Sequence, residues 1–173
     1  MTDRTTDEAA NDRAGTDPSR LLLDAMLGKL TTYLRMCGYD AAYVLERDGE
    51  RARPDSDPGD DEIAAMARAS DRTLLTRDSD LAARVDGAVL VKSKDVRQQL
   101  REVDDAGYDL SLSESPKRCA ACNGELRSVD ADESLPSYAP DPAETDCWRC
   151  LDCGQAFWKG SHWDDVAETL GEL

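Results

Sequence analysis

Apolar residues in the first two thirds of this chain alternate between short unbroken runs and stretches with helical spacing. Residues 21–23 (Leu-Leu-Leu) are too uniformly apolar for a half-exposed strand and predict a strand covered on both faces. From Met26 the apolar positions Met26, Leu27, Leu30, Tyr33, Leu34 and Cys37 recur at helical spacing, with Lys29, Thr31, Thr32 and Arg35 between them. Gly38 then stops the helix. The pattern repeats: a strand over 41–44, a polar loop over 46–59 holding Pro54 and Pro58, and a helix opening at Asp60 with Ile63, Ala64, Met66 and Ala67 inward. A third strand follows over 73–76, a short helix after Asp78, a fourth strand over 88–91, and a helix over 95–106 with Val96, Gln99, Leu100 and Val103 inward. Strands alternating with helices predict an α/β fold, a parallel sheet flanked by helices.

Outside that rhythm the chain changes character. Residues 1–19 are polar, rich in Asp, Thr and Ala, and without periodicity, which predicts a disordered acidic tail. The α/β unit spans 20–113. Residues 116–173 form a second unit, with Cys119-x2-Cys122 at its start and Cys150-x2-Cys153 near its end, an acidic Pro-bearing loop over 130–146, and a final short helix over 163–170. Two such pairs offer four thiolates for tetrahedral Zn²⁺, so Cys119, Cys122, Cys150 and Cys153 are the expected ligands of a structural zinc ribbon. Cys147 also forms a CxxC pair with Cys150, but Cys153-Gly154 makes the better second half of a knuckle; Cys147 and Cys37 read as buried thiols. Trp148, Phe157, Trp158 and Trp163 supply apolar bulk to this unit or surfaces for stacking on unpaired bases. His162, the only histidine, is a substrate contact or a structural residue.

Acids gather where the predicted strands end. Asp24 follows the first strand directly; Asp78, with Asp80 beyond it, follows the third; Asp60 and Asp61 open the helix between. In open α/β sheets ligands bind outside the carboxyl ends of strands. Carboxylates collected there repel unless a cation lies among them, and Mg²⁺ or Mn²⁺ favours such oxygen ligands and supports phosphodiester cleavage. Taken singly, Asp24 and Asp78 are also good helix caps, and Asp60 and Asp61 suit the positive end of a helix dipole. Lys29, one turn past Asp24, and Arg77 are the expected phosphate contacts, with Lys92, Lys94 and Arg97 nearby in the pattern.

Charge adjusts this picture without reversing it. The net charge is −16, and five of the 21 basic residues are Lys. Such a surface suits concentrated salt, a halophilic setting, where the screening length falls to about 3 Å near 1 M and local patches outweigh total charge. No apolar run reaches the roughly 18 residues of a spanning helix, and the N-terminus lacks a signal-peptide core, so a soluble cytoplasmic protein is expected.

Long motifs connect these features. Asp24-x-Met26-Leu27-Gly28-Lys29-Leu30-x3-Leu34-Arg35-x2-Gly38-Tyr39-Asp40, Leu75-Thr76-Arg77-Asp78-x2-Leu81, Cys119-x2-Cys122-Asn123 and Cys150-x2-Cys153-Gly154-x2-Phe157-Trp158-x-Gly160-Ser161-His162-Trp163 resemble the Mut-seven C-terminal RNase domain family. The resemblance covers about 21–170 and implies a PIN-like ribonuclease fold with an appended zinc ribbon. It implies Asp24, Asp60 and Asp78 as metal-binding catalytic acids, Asp80 as a weaker fourth, and the four cysteines as zinc ligands. Where the family usually carries an aromatic before the second knuckle, this chain has Cys147. The acidic insertion around 51–59 departs from the pattern and leaves Asp60 and Asp61 as alternatives. The resulting expectation is a Mg²⁺- or Mn²⁺-dependent ribonuclease acting on single-stranded RNA, with a ribosome or protein partner for the ribbon as a second partner class. The alternative is a non-catalytic adaptor that binds RNA, ribosome or protein through the ribbon.

Overall fold

The computed structural model describes residues 17–47, 50–51 and 57–173. Of the expected tail, 1–16 lies outside the described residues, as do 48–49 and 52–56 of the expected acidic loop. Four strands form a parallel sheet: β1 (Arg20–Leu23), β2 (Asp40–Tyr43), β5 (Thr73–Thr76) and β6 (Val89–Leu90), in spatial order β2-β1-β5-β6. The short pair β3 (Glu46–Arg47) and β4 (Glu50–Arg51) makes a separate antiparallel ribbon inside the stretch expected to be loop. Helices α1 (Gly28–Met36), α2 (Asp60–Ser70) and α3 (Ser79–Arg84) carry the crossovers, and α4 (Val96–Asp105) follows β6.

The Leu run explains why the sheet is covered on both sides. Successive strand residues point to opposite faces. Leu21 and Leu23 meet Leu27, Leu30 and Leu34 from α1 and its approach, with Leu100 and Val103 of α4. Leu22 points the other way, against Ile63, Ala64 and Ala67 of α2 and Leu81 of α3. Burying a Leu side chain contributes roughly 1.5–3 kcal/mol, so the triplet anchors both layers.

The order of the strands creates a crevice. From β1 the chain steps outward to β2, then crosses back over β1 to β5. Connections therefore leave β1 and β5 in opposite directions, and ligands in such sheets bind at that switch point, beyond the strand ends.

Three local expectations change. The first helix starts as a 3-10 turn, Ala25–Leu27, capped by Asp24. With three residues per turn, burying Leu27 leaves Met26 facing outward, 56% exposed instead of inward. The fourth strand is two residues long rather than four, although the Val91 N–H still reaches the Thr76 carbonyl at 2.8 Å. The last helix, α5 (Ser161–Gly171), begins two residues early and packs Leu170 against the first core.

The second unit is a three-stranded antiparallel sheet, β7 (Leu126–Ser128), β8 (Cys147–Cys150) and β9 (Ala156–Trp158), with β8 central. Residues 130–146 run as turns between β7 and β8.

Candidate active site and metal centre

Asp24 stands at the end of β1 beside β5. Register aligns Leu23 with Leu75, and the Asp24 N–H donates to the Leu75 carbonyl at 3.0 Å. Its side chain is almost fully buried, and both oxygens accept: Oδ1 from the Ala25 N–H at 2.7 Å, Oδ2 from the Thr76 hydroxyl at 2.6 Å. Thr76 is fully buried at the end of β5, and its Oγ1 accepts the Asp78 N–H at 3.0 Å. One hydroxyl therefore joins the two strand-end acids. Its single proton goes to Asp24 while its lone pair holds the Asp78 backbone.

Asp78 caps α3. Its Oδ1 accepts the N–H groups of Asp80 at 2.8 Å and Leu81 at 3.0 Å, so the capping role and the strand-end position coexist. Asp80 is exposed in the first turn of α3. Asp60 and Asp61 are exposed at the start of α2. Asp61 pairs with Arg84 at the end of α3, and that contact is the chief reason the Arg84 guanidinium is held above its ordinary pKa; Asp60 and Asp78 add to it through charge. Of these acids Asp61 makes the contact with the guanidinium, while Asp60 and Asp78 act on it only through charge. Their oxygens, with those of Asp24, do not close into a single ion-sized cage: among the described residues the group of three or more ligand atoms lying mutually within 4.8 Å is the cysteine set. Lys29 is exposed on α1. Arg77 reaches across to Met26, Nη1 to Sδ at 3.7 Å, and its buried Nε has no hydrogen-bond partner among the described residues.

At the other centre the fit to a metal is close. Cys119 and Cys153 Sγ atoms are 3.8 Å apart and those of Cys122 and Cys150 3.5 Å apart. A tetrahedral ion with Zn–S bonds of about 2.3 Å requires sulfur separations of about 3.8 Å. The Gly124 N–H points at Cys122 Sγ and the Cys153 N–H at Cys150 Sγ. Burial pushes the Cys119 and Cys122 thiols up; at Cys150 burial acts likewise, but the backbone N–H groups of Cys153 and Asp152 outweigh it and hold that thiol below its usual value. Asn123 and Gly154 adopt positive φ, 68° and 75°, to turn the two knuckles. A Cβ on Gly124 would come within 2.7 Å of Cys150 Sγ, which leaves glycine as the residue that fits there. Cys147 lies apart, buried, its thiol directed at the Thr145 carbonyl.

A family model described as the Mut7-C RNAse domain matches residues 19–170, from the first strand through the last helix. The chain belongs to the Mut7-C RNAse domain family. Neither a curated protein nor a solved structure matches it. Membership points to a ribonuclease-type function and implies RNA as the substrate class. No helix among the described residues is long and apolar enough to cross a membrane.

In this Mut7-C chain the ribbon is fastened to the sheet by residues that sequence reasoning passed over. Arg35 of α1 is 2% exposed and donates to the Ala41 carbonyl of β2, to both Glu46 oxygens, and to the Ala120 and Ala121 carbonyls of the first knuckle. Asn123, in the knuckle turn, accepts the Ala41 N–H through Oδ1 and donates to Asp40 through Nδ2. Asp40 also takes the fork of Arg72. Burial pushes the Asp40 carboxyl up, but hydrogen bonds from Arg72 and Asn123 and the charge of Arg118 more than offset it and hold the group below its ordinary value. Arg35 and Asn123 stand within the family motifs, yet their partners are distant in the chain. Thr76 was likewise visible only as the residue two before Asp78.

Proposed function

We propose that this protein is a metal-dependent ribonuclease that hydrolyses phosphodiester bonds of single-stranded RNA at the switch point between β1 and β5. The observation that carries the reading is the Thr76 hydroxyl joining Asp24 to Asp78 at adjacent strand ends, because it gives two acids from distant parts of the chain a common support. Asp24, Asp78 and the helix acid Asp60, whose oxygens stand too far apart here to close on one ion, would have to draw together to hold Mg²⁺ or Mn²⁺, with Asp80 as a weaker fourth. Asp61 is already committed to Arg84, which favours Asp60. The donor set is all oxygen and suits a hard cation. Each hydrogen-bonded Asp24 oxygen retains a lone pair.

When bound, such an ion supplies a water of lowered pKa and neutralises charge developing on phosphate. The chain's residues do the rest. Thr76 fixes the Asp24 carboxylate through a hydrogen bond that only a charged or acceptor oxygen completes. Arg77, its Nε without a partner among the described residues, and Lys29 contact the phosphate. The zinc held by Cys119, Cys122, Cys150 and Cys153 organises the ribbon beside this site.

The test is cleavage of labelled single-stranded RNA in high salt with Mn²⁺ by the wild type and by Asp24→Asn and Asp78→Asn. Loss of cleavage in both variants is expected; undiminished cleavage by both would remove the mechanism. One observation favours a second reading, an adaptor without turnover that binds RNA, ribosome or protein through the ribbon: among the described residues the acids do not close on one ion, and Asp61 is paired with Arg84. RNA binding with no cleavage, and no rise in melting temperature on adding Mn²⁺, would support it.

A further inference from the structure

A cleft of about 390 Å³ lies between α1, the end of β2 and the ribbon, and nothing in the proposed reaction uses it. Both units line it, Thr32 and Tyr43 from one side and Gln155, Phe157 and His162 from the other. Its inner end adjoins the candidate active site. The Tyr43 hydroxyl donates to the carbonyl of Ala25, the residue after Asp24, at 2.6 Å. Gly28, also on the lining, keeps that end clear, since a Cβ there would press on the Tyr43 hydroxyl at 3.1 Å. The hydrogen bonds of Arg35 and Asn123 hold the two walls together, so the space is preformed.

The chemistry of the lining selects among ligands. Its two ionic groups, Arg35 and Glu46, neutralise each other, Nη2 to Oε2 at 2.6 Å, and leave no net charge to hold a phosphate. What remains open mixes apolar and polar surface. Phe157 presents an apolar wall, and the side chains of Thr32, Gln155 and His162 make no hydrogen bond among the described residues. An apolar surface with a few unspent donors and acceptors, at the lower end of the roughly 300–1,000 Å³ of small-ligand sites, suits a flat heterocycle with a polar edge. Sequence-selective RNA binding commonly takes unstacked bases in such surroundings.

We propose that this cleft is a nucleobase pocket, taking one unpaired base of an RNA strand whose neighbouring phosphodiester lies at Asp24. The inference rests on the ribonuclease reading for the identity of the strand, and on the cleft alone for the base. Gln155 and Thr32 read the polar edge, and Phe157 takes the face. Because the base must leave its helix to enter, duplex RNA is excluded.

His162 is the only histidine, so its imidazole Cε1 proton gives one assignable resonance in the full-length, zinc-loaded protein. The experiment follows that resonance without added Mg²⁺ or Mn²⁺ during titration with ribotetranucleotides of U, C or A, an abasic ribose-phosphate tetramer, and blunt duplex RNA. The expected result is a saturable shift with at least one single-stranded tetranucleotide and none with the abasic or duplex RNA. Gln155→Ala and Thr32→Val should each weaken binding about 3- to 10-fold, as one lost hydrogen bond does, with zinc content and melting unchanged. In cleavage assays they should raise KM at constant kcat. A shift of equal size with the abasic tetramer would overturn the nucleobase assignment. So would a silent His162 resonance in a protein whose cleavage still depends on Asp24, and that outcome would leave the ribonuclease reading standing. Base-dependent shifts without any cleavage would retain the pocket and remove the ribonuclease reading instead.

Discussion

Replacing Arg35 with Met keeps most of the aliphatic stem and removes the guanidinium. Five hydrogen bonds go with it: Nε to Ala41 O at 2.9 Å, two to Glu46 at 2.6 and 3.3 Å, and two to the knuckle carbonyls of Ala120 and Ala121 at 3.2 and 3.3 Å. Glu46, 13% exposed, is left as a charge with no counter-ion among the described residues, and three carbonyls lose a donor. Removing one partner of a buried pair costs about 3–5 kcal/mol, mostly from the stranded charge. At about 2–4 °C per kcal/mol for a chain of this size, the melting temperature should fall by roughly 6–20 °C. Adding Glu46→Gln should recover about 1–2 kcal/mol, because the second change removes the stranded charge. The assay is urea unfolding followed by far-UV circular dichroism, with zinc saturating throughout, on the wild type, both single variants and the double. A loss below about 1 kcal/mol in Arg35→Met, or additive single effects, would refute the argument that this guanidinium joins the two units.

Asp24→Asn should reduce RNA cleavage by about 100-fold or more while the protein stays folded, and Thr76→Val should reduce it about 10- to 100-fold with recovery in Thr76→Ser; initial rates with zinc content held constant decide both. One zinc per chain is expected by elemental analysis. Cys153→Ser and Gly124→Ala should lower that figure, whereas Cys147→Ser should leave it unchanged. Because Asp40 is held below the ordinary carboxylate value of 3.8, its contribution is complete above that pH and is lost as pH falls through the lower folded value. Asp40→Asn should therefore be less stable than wild type at pH 7, with the gap closing as pH is taken below about 3.8; urea midpoints across that range, at fixed ionic strength, test the sign.

The sheet was legible because its strands are buried on both faces, which makes 21–23 and 73–76 conspicuous, and because Asp24 and Asp78 follow them with at most one residue between. Spacing alone marked the four cysteines, and their sulfurs do come together. Contacts set by long-range register were hidden. Thr76 meets Asp24 only because β5 lies beside β1 with Leu75 level with Leu23, and nothing local encodes that order. Met26 misled because an apolar residue at helical spacing falls on the outer side when the first turn is 3-10. The ribbon strands escaped notice because they are three or four residues long, and β8 is interrupted by the cysteines it carries.

Asn123 closes the outer border of β2 from a point 82 residues further along the chain, and Arg35 covers the Ala41 carbonyl beside it. During translation the parallel sheet therefore emerges with that border raw, an invitation to backbone pairing with any neighbouring polypeptide. It is sealed only after the knuckle has been synthesised. Should zinc set the shape of that knuckle, as proposed above, metal supply would govern the solubility of the N-terminal half as well as the order of the C-terminal one, and a nascent chain starved of zinc should need a chaperone at this seam.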